Sequence, residues 1–417
     1  MGRVDNRAAA EQLDREDELA RFRAEFELPP GVLYLDGNSL GALPRRVRER
    51  VLRTLEHEWG EGLIGSWNAA GWISGPQRAG DKVAKLIGAG AGEVVVTDST
   101  SVNLFKVLSV ALQANSARRI IVSEKANFPT DLYVIDGVVK QLGGRHELLL
   151  IDSTDAALAA ALEHRGGEIA AVVLTHIHYT TARIWDMARV TAAARAAGAM
   201  MVWDLSHSAG IFPLEVGGCN VDFAVGCGYK HLNAGPGAPA FVYVPRRLQE
   251  RFTQPISGWM GDARPFEFRP DYAPAQGIDR YLSGTPAVLA TAAVEASVEL
   301  ILEAPMAAIR RKSIALGELF VDLAGRNCEG LELASPREGA RRGSHVSFRH
   351  PDSYPVMQAL IEAGVVGDCR PPDLLRFGFA PLYIRYADVW DAVMKLAEVL
   401  GTRAWDQAQF RARKAVT

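Results

Sequence analysis

Short apolar runs alternate with helical patterns through the middle of the chain. Six of these runs predict buried strands, at residues 93–98, 119–124, 146–152, 169–176, 199–204 and 223–228. Between most of them, segments such as TDAALAAALEHR and DMARVTAAARAAGA place apolar residues at helical spacing. Near-continuous apolar strands that alternate with helices are typical of a mainly parallel sheet covered on both faces. The pattern therefore predicts an α/β fold, in which ligands bind at the carboxyl ends of the strands.

The chain on either side of this region has a different pattern. Residues 8–26 predict an amphipathic helix, and residues 287–323 predict a long alanine-rich one. The irregular stretch 254–286 lies before that helix, and a loop of this length in a compact domain is usually functional. The remaining residues alternate strand and helix patterns, which predicts a separate α+β domain. We expect an N-terminal segment (1–60) that packs with the small domain, a large domain (61–290) and a C-terminal small domain (291–417).

Composition limits the classes of partner. The 417 residues are 48% hydrophobic and 23% charged, with a net charge of -3, as in an ordinary globular protein. This balance provides no basic field for nucleic acid, so we expect a small-molecule partner. The N-terminus is polar and no apolar run approaches the ~18 residues of a membrane span, so we expect no membrane partner and a cytoplasmic location. The four cysteines show no C-x-x-C spacing, which argues against a zinc site or a disulfide framework.

Two residues near the end of the predicted sheet carry candidate chemistry. Asp204 ends the strand pattern AMMVWD, and Lys230 follows 26 residues later within the glycine-rich segment CGYKHLNAGPG. Each residue alone is more often structural, the aspartate as a cap and the lysine as a surface charge. Together they suit pyridoxal phosphate (PLP), whose chemistry needs a lysine amine as covalent anchor and an aspartate beside the pyridine nitrogen. The glycines on both sides of Lys230 let the backbone approach a ligand closely.

Polar residues follow several of the other predicted strands. Thr100 and Ser101 open an apolar helix, where hydroxyl groups either cap the helix or hold a phosphate group. Phe128 suits stacking on a flat ring, and Asp131 either bonds a ring hydroxyl or caps the next helix. Thr175 is followed by two histidines without a nearby cysteine or carboxylate pattern, which favours hydrogen bonding at the strand end over a metal site. No metal site is predicted.

Two loops before the sheet also carry candidate residues. The segment LYLDGNSLGALP places Ser39 between glycines, which is typical either of a strand-turn-helix entry or of a ligand-facing loop. Trp67 and Trp72 lie in a glycine-rich loop, where they either pack against neighbours or line a pocket for an aromatic substrate. At this level both interpretations of each loop stay open.

Seven motifs occur in a fixed order along the chain: YLDGNSLGALP, STSVNLF, FPTD, WDLSHSAG, GYKHLNAGPG, SGWMG and RFGFAPLY. In this arrangement the sequence closely resembles kynureninase, a PLP enzyme of fold type I in the aminotransferase-like superfamily, over most of its length. The resemblance implies a mainly parallel seven-stranded sheet in the large domain and a smaller α+β domain. It also implies hydrolysis of the Cβ–Cγ bond of L-kynurenine to anthranilate and L-alanine, a step of tryptophan catabolism.

The resemblance also implies a role for each matching residue. Lys230 is the covalent anchor and Asp204 pairs with the pyridine nitrogen, while Tyr229, one residue before the lysine, is the candidate for proton relay. Arg376 matches the arginine that binds the substrate α-carboxylate, a task that suits the fork geometry of a guanidinium. The other cofactor contacts are Thr100, Ser101, Phe128, Asp131, Thr175, His207 and Tyr229, with Trp259 and Thr285 reaching the phosphate from the neighbouring subunit of a homodimer. Further candidates, for the aromatic end of the substrate, are Ser39, Trp67, Asn68 and Trp72.

Two departures from the family pattern concern the active site. Many members have Ser-Tyr-Lys-Tyr where this chain has Gly-Tyr-Lys-His at residues 228–231, and Thr285 stands where some members have Asn. The second departure leaves both kynurenine and 3-hydroxykynurenine open as substrates, with kynurenine favoured by the resemblance to bacterial-type sequences.

Two other functions remain as alternatives to kynurenine hydrolysis. A cysteine desulfurase shares the fold and the lysine but needs a thiolate nucleophile, for which Cys328 and Cys369 are the C-terminal candidates. The alternative that is not an enzyme is a PLP-binding scaffold that has lost turnover.

Overall fold

The computed structural model describes residues 3–414, and this part of the chain forms two compact units. Unit 1 comprises the described residues up to Arg46, the segment Ile177–Ile184 and the described residues from Glu303 onward. Unit 2 comprises Val47–His176 and Trp185–Leu302. The sequence predicts domain borders after residues 60 and 290. In the structure, the chain passes from unit 1 to unit 2 after Arg46 and, apart from the segment Ile177–Ile184, returns to unit 1 after Leu302. None of the helices in residues 3–414 has the length and apolar character needed to cross a membrane.

The helices and strands of the described residues are numbered here in chain order. The α-helices are α1 (Arg7–Arg15), α2 (Arg45–Arg53), α3 (Ser66–Ala69), α4 (Gly75–Ile87), α5 (Thr100–Ala114), α6 (Pro129–Gln141), α7 (Asp155–Arg165), α8 (Met187–Ala196), α9 (Arg246–Gln249), α10 (Val288–Leu302), α11 (Met306–Asn327), α12 (Ser353–Glu362), α13 (Tyr386–Gly401) and α14 (Ala408–Arg411). The strands are β1 (Phe26–Glu27), β2 (Leu33–Tyr34), β3 (Leu43–Pro44), β4 (Val94–Val96), β5 (Ile120–Glu124), β6 (Glu147–Ile151), β7 (Ile169–Thr175), β8 (Met200–Asp204), β9 (Phe223–Gly226), β10 (Phe241–Tyr243), β11 (Glu332–Leu333), β12 (His345–Arg349), β13 (Val365–Val366), β14 (Asp368–Arg370) and β15 (Leu374–Gly378).

Unit 2 is built on a seven-stranded sheet. Its strand order is β4-β10-β9-β8-β7-β5-β6, and only β10 runs antiparallel to its neighbours. Every residue of β4, β5, β7, β9 and β10 is buried, as expected for strands covered on both faces. The prediction of a mainly parallel seven-stranded sheet is therefore confirmed. The six strands read from the apolar runs are β4 to β9.

Unit 1 contains a four-stranded sheet with the order β11-β12-β15-β14, in which neighbouring strands are antiparallel. Helices α11 and α13 pack against each other, and α13 also packs against α1 from the N-terminal segment. The short strand β2 pairs in parallel with β13. The predicted C-terminal α+β arrangement is thus present. The register of β14 and β15 sets Asp368 opposite Arg376.

Two of the predicted helices differ from the observed ones. The helix predicted at 8–26 ends at Arg15, and Ala20–Glu25 forms a 3-10 helix instead. Between them, the Asp17 side chain accepts a hydrogen bond from the backbone N–H of Leu19 at 2.9 Å, a local bond that competes with helix formation. The helix predicted at 287–323 is two helices, α10 and α11. They are separated before Pro305, because proline lacks an N–H and disfavours the helical conformation of the residue before it.

Candidate active site

The carboxyl ends of β7, β8 and β9 bring polar residues of unit 2 to one edge of the sheet. The strand register sets Thr175 beside Asp204, and Asp204 beside Val225. The chain turns directly after β8, where the backbone N–H of Ser206 donates to Asp204 Oδ1 at 2.7 Å. This bond fixes the orientation of the Asp204 carboxylate at the end of its strand.

Lys230 lies in the turn that follows β9. Its Nζ is 3.0 Å from His207 Nε2, and it lies 5.7 Å from the ring centroid of Phe128 and 5.9 Å from that of Tyr229. His207 comes from the turn after β8, and Phe128 comes from the segment between β5 and α6. Three separate strand ends therefore gather these predicted residues around the Lys230 amine.

Asn127 belongs to this site but was absent from the sequence prediction. Thr175 Oγ1 lies 2.5 Å from Asn127 Oδ1 and 3.4 Å from Asp131 Oδ2. The same Asn127 oxygen accepts from the backbone N–H of Phe128 at 2.8 Å, and its amide donates to Ser123 at 3.1 Å. Asn127 thus orients two predicted cofactor contacts, Thr175 and Phe128. Its position directly before the FPTD motif is the only signal in the sequence.

Burial raises the pKa values of both carboxylates, Asp131 and Asp204. Burial raises the pKa of Asp131 well above its usual value, and the nearby charge of Asp204 raises it further, while Lys230 lowers it. Burial also raises the pKa of Asp204, against the lowering effects of Ser206 and Lys230. Two fully buried carboxylates therefore share a single amine. A cation placed among these groups relieves the excess of negative charge.

A cavity of about 420 Å³ lies beside this cluster, at the start of α5. Thr100 is the first residue of α5 and Ser101 the second, so their backbone N–H groups lie at the positive end of the helix dipole. Tyr229 and Thr285 line the same cavity, as does Gly237. Hydroxyl groups and helix N–H groups around a small cavity suit a phosphate group.

These features of unit 2 fit PLP. The cavity at α5 suits the phosphate, the Asp204 carboxylate suits a pyridinium nitrogen, and the Lys230 amine suits an aldehyde. The positive charge of the pyridinium would also compensate the excess of negative charge at Asp131 and Asp204.

Lys106 was not predicted as a site residue, yet it pairs with Asp98, which lines the same cavity. Its amine is fully buried, pairs with Asp98 at 2.6 Å and donates to the backbone carbonyl of Tyr281 at 2.5 Å. Asp98 lines the cavity and adopts a left-handed φ of 49°, which is uncommon for a residue other than glycine. The ion pair therefore holds the segment that leads from β4 into α5.

Trp259 lies in a short 3-10 helix, Trp259–Gly261, at the surface of unit 2. Its ring is edge-on to Phe266, with centroids 5.6 Å apart, and stacked on Phe268 at 6.4 Å. Phe266 is 57% exposed and Phe268 is 77% exposed. The irregular stretch predicted to be functional thus contains an exposed aromatic cluster. Thr285, in contrast, lines the cavity of its own chain.

Trp67 and Asn68 lie on α3, and Trp72 follows shortly after it. The two tryptophan rings meet edge to face, with centroids 6.1 Å apart. Trp72 Nε1 donates to Glu58 at 2.8 Å, and Glu58 pairs with Arg50 at 2.7 Å. Trp72 is thus anchored by local packing within unit 2, whereas Asn68 is exposed.

Arg376 lies in a buried cluster of unit 1. Its Nε donates to Asp368 Oδ1 at 2.7 Å, and its Nη2 donates to Asp368 Oδ2 and, at 2.9 Å, to Ser39 Oγ. Its Nη1 donates to the backbone carbonyl of Tyr179. With its amide oxygen facing the guanidinium, Asn38 accepts from Nε at 3.1 Å. The predicted residues Arg376 and Ser39 are therefore in direct contact, and both also donate to Asp368, which was not predicted.

The chain is similar over nearly its whole length to proteins named Kynureninase. It is 51% identical to the kynureninase of Burkholderia pseudomallei (strain 1106a), with 99% of each chain covered. It is 48% identical to the kynureninase of Pseudomonas fluorescens, covering 97% of this chain and 98% of the relative. Residues 309–396 match the family described as Kynureninase C-terminal domain.

Solved structures with the same fold are more distant in sequence. A cysteine desulfurase from Thermococcus onnurineus NA1 superposes with a TM-score of 0.77 at 20% identity, covering 92% of this chain and 98% of that one. The cysteine desulfurase CsdA from Escherichia coli gives a TM-score of 0.78 at 21% identity, covering 93% and 99%. The structural similarity to these two enzymes shows the fold alone. The kynureninases that are 48–51% identical over nearly the whole chain show the family, and the chain belongs to the kynureninase family.

Proposed function

We propose that this protein uses PLP to hydrolyse the Cβ–Cγ bond of L-kynurenine, giving anthranilate and L-alanine in tryptophan catabolism. Membership of the kynureninase family supports the reaction. The observation that carries the proposal is the surroundings of Lys230, an amine 3.0 Å from His207 and beside two buried carboxylates. L-Kynurenine is preferred to 3-hydroxykynurenine in this proposal.

PLP, when bound, supplies an aldehyde for amine exchange and a ring that withdraws electrons from the substrate. Lys230 anchors it and Asp204 pairs with its ring nitrogen. A carboxylate about 4 Å from a pyridinium interacts by about 4 kcal/mol at an effective dielectric of about 20, which keeps that nitrogen protonated. The remaining cofactor contacts are Thr100, Ser101 and Tyr229 at the phosphate, Phe128 on the ring face, and Asp131, Thr175 and His207 around the ring.

Lys230 and Tyr229 move the protons in this proposal. The Lys230 amine would accept the α-proton of the substrate, since no other amine lies beside the Asp204 carboxylate in the described residues. Burial raises the pKa of Tyr229 above the ordinary tyrosine value, so its hydroxyl is protonated at working pH and acts as a donor. His207, in contact with Lys230 Nζ, keeps the amine in position.

Substrate recognition is assigned to two regions. Arg376 binds the α-carboxylate, and Ser39 is in contact with it through hydrogen bonds. Trp67, Asn68 and Trp72 are assigned to the aromatic end of the substrate. The Glu58 bond that anchors Trp72 supports a rigid wall rather than a mobile loop at this position.

The assembly is proposed to be a homodimer, with Trp259 and Thr285 contributing to the phosphate site of the neighbouring subunit. The exposed rings of Phe266 and Phe268 beside Trp259 support a surface that a second copy covers. A cytoplasmic location is supported by the four cysteines, which are all free.

The cysteine desulfurase alternative is disfavoured by the two C-terminal thiols. Burial raises the pKa of both Cys328 and Cys369 to about 12, whereas a nucleophilic cysteine needs a lowered pKa. Cys369 Sγ also donates to the backbone carbonyl of Ser353 at 3.1 Å.

The decisive experiment is incubation of the PLP-loaded protein with L-kynurenine. Fluorescent anthranilate and an equal amount of L-alanine are expected. A coloured, PLP-loaded protein that yields neither product favours the scaffold without turnover. Sulfide released from L-cysteine, and lost in Cys369→Ser, favours the desulfurase.

A further inference from the structure

The cavity at the start of α5 has a carboxylate in its wall and no cation. Among the described residues that line it, Asp98 is the only charged one, and there is no lysine or arginine. A phosphate monoester carries a charge of about −2 near neutral pH, so it repels a carboxylate in the same cavity. The N–H groups at the start of α5 attract a phosphate, but they do not remove the charge of Asp98. A phosphate group therefore binds here more tightly when another group neutralises that carboxylate.

Lys106 supplies a cation from behind the cavity wall. Its Nζ lies 2.6 Å from Asp98 Oδ2, and its side chain is 0% exposed, whereas that of Asp98 is 28% exposed. Nζ also donates to the backbone carbonyl of Tyr281 at 2.5 Å. Lys106 is not itself among the cavity-lining residues in the described part of the chain. It therefore acts on a bound phosphate through Asp98 and not by direct contact.

The backbone fixes both members of this ion pair. Lys106 lies on α5, and Asp98 directly precedes the N-cap of that helix, Ser99. The carbonyl of Asp98 accepts from the backbone N–H of Ala240 at 2.8 Å, and Asp98 adopts a left-handed φ of 49°. A residue other than glycine keeps this conformation only where its surroundings hold it. The turn into α5 thus holds the carboxylate beside the cavity.

A role in stability alone does not account for a lysine at this position. Burial lowers the pKa of Lys106, and the charge and hydrogen bond of Asp98 raise it. Removing two charges from water costs free energy that their attraction only partly offsets, and apolar residues of similar volume often stabilise a fold as well as a buried pair does. The place of Asp98 at the cavity wall gives the lysine a further role, because neutralising this carboxylate favours a dianion in the cavity.

We propose that Lys106 is a positioning residue that acts on the cofactor phosphate through Asp98. The ion pair leaves the cavity wall without net charge, so a phosphate group binds at the start of α5 without repulsion from that wall. The proposal rests on the proposed function for the identity of the ligand, an aldehyde cofactor that carries a phosphate ester. It requires that Lys106 affect binding of the phosphate and not binding of the ring.

The test compares two ligands that differ only in the phosphate, PLP and pyridoxal. Each is titrated into the cofactor-free protein, and binding is followed by the visible absorbance of the lysine-bound aldehyde. Lys106→Met is expected to weaken PLP about tenfold and pyridoxal less than about twofold, because the phosphate then meets an unpaired carboxylate. The double variant Lys106→Met/Asp98→Asn is expected to bind PLP within about threefold of the wild type, since neither charge remains.

The matched control is Lys82→Met. Lys82 is a partly buried lysine of unit 2 that pairs with Glu295 at 2.7 Å, and neither residue lines the cavity in the described part of the chain. The affinities of this variant for PLP and pyridoxal are expected to stay within about twofold of the wild type.

Asp98→Asn gives a second test that leaves the buried lysine in place, and it decides the question if Lys106→Met does not fold. It removes the negative charge from the cavity wall, so PLP is expected to bind at least as tightly as to the wild type. A structural role of the ion pair alone predicts weaker binding of PLP and pyridoxal alike. Weaker binding of PLP to Asp98→Asn overturns the proposal.

The comparison of ligands also separates this proposal from the proposed reaction. An equal loss of affinity for PLP and pyridoxal in Lys106→Met, or a double variant that binds PLP as weakly as the single one, overturns the role of Lys106. If the wild type binds PLP but forms no anthranilate, the proposed reaction fails, while the two ligands still decide that role. A wild type that binds PLP no more tightly than pyridoxal overturns both the phosphate site and the role of Lys106.

Discussion

The cluster around Lys230 in unit 2 and the cluster around Arg376 in unit 1 are both buried and charged, but their charges balance differently. The first places two carboxylates, Asp131 and Asp204, beside one amine, and the pKa values of both carboxylates are raised. The second places two carboxylates beside two guanidiniums, and Asp368 is bonded on both oxygens. The cluster in unit 2 therefore has an excess of negative charge that a bound cation would compensate. In the cluster of unit 1, the charged groups already pair with each other.

This difference determines what each cluster is suited to bind. An excess of buried carboxylate favours a ligand with a positive ring nitrogen, such as PLP. In the cluster of unit 1, the guanidiniums of Arg370 and Arg376 outnumber the ionised carboxylates while Asp36 is protonated, which favours a small anion. Changes in the first cluster are thus expected to affect cofactor and chemistry, and changes in the second to affect substrate affinity alone.

The largest effect is expected from Lys230→Ala. The variant loses the covalent anchor, so the visible absorbance of the lysine-bound cofactor disappears and turnover falls by at least about 10³-fold. The measurement is the absorbance spectrum after reconstitution with PLP, together with the rate of anthranilate formation.

The matched control for this variant is Lys125→Ala. Lys125 is exposed and pairs with Asp152 at 2.8 Å in the same unit. It is expected to retain both colour and rate. A Lys230→Ala protein with the spectrum of the wild type contradicts the assignment of the anchor.

A smaller effect is expected from Asp204→Asn. The amide keeps the size of the side chain but removes the charge beside the ring nitrogen, and a loss of up to about 4 kcal/mol corresponds to about 10²- to 10³-fold in kcat. The measurement is kcat at saturating L-kynurenine and PLP.

Asp222 offers a carboxylate of equal burial at the opposite end of the same strands. It precedes β9, accepts from the backbone N–H of Met201 at 2.9 Å and pairs with Arg195 and Arg247 at 2.6 and 2.8 Å. Asp222→Asn is expected to lower the unfolding temperature and to keep kcat within about threefold per folded molecule. If Asp204→Asn and Asp222→Asn lose turnover equally, the loss comes from removing a buried charge. It then does not depend on the position of Asp204 beside the cofactor.

The strand pattern predicted most of unit 2 because its parallel strands are short runs made mainly of apolar residues. It missed β10, which has only three residues and follows a glycine- and proline-rich segment. The site residues at strand ends, such as Asp204 and Thr175, were found because the carboxyl edge of a parallel sheet gathers them.

The positioning residues were harder to predict, because their role depends on register and long-range pairing. Asp368 is one acidic residue among many in the sequence, and only the pairing of β14 with β15 places it opposite Arg376. Asn127 and Lys106 are similar cases, since their partners Thr175 and Tyr281 are distant in sequence.

The smallest effect is expected from Asp36→Asn, and it tests the charge balance of the unit 1 cluster. Asp36 has a pKa of about 7, so it is mostly protonated at pH 6 and mostly ionised at pH 8.5. Ionisation cancels the surplus positive charge, and the KM of the wild type is therefore expected to rise above pH 7. The groups whose charges and hydrogen bonds act on Asp36 are Asp368, Arg370, Arg376, Ser39, Tyr34 and Tyr383.

The Asp36→Asn variant is neutral at every pH, so it keeps the surplus charge that the wild type loses. We expect equal KM values for the two proteins at pH 6 and a KM about fivefold lower for the variant at pH 8.5, equivalent to about 1 kcal/mol of electrostatic repulsion removed. Titration of the substrate amine changes both proteins alike and cancels in the ratio. Parallel pH profiles of KM show that Asp36 does not govern the charge of the carboxylate site.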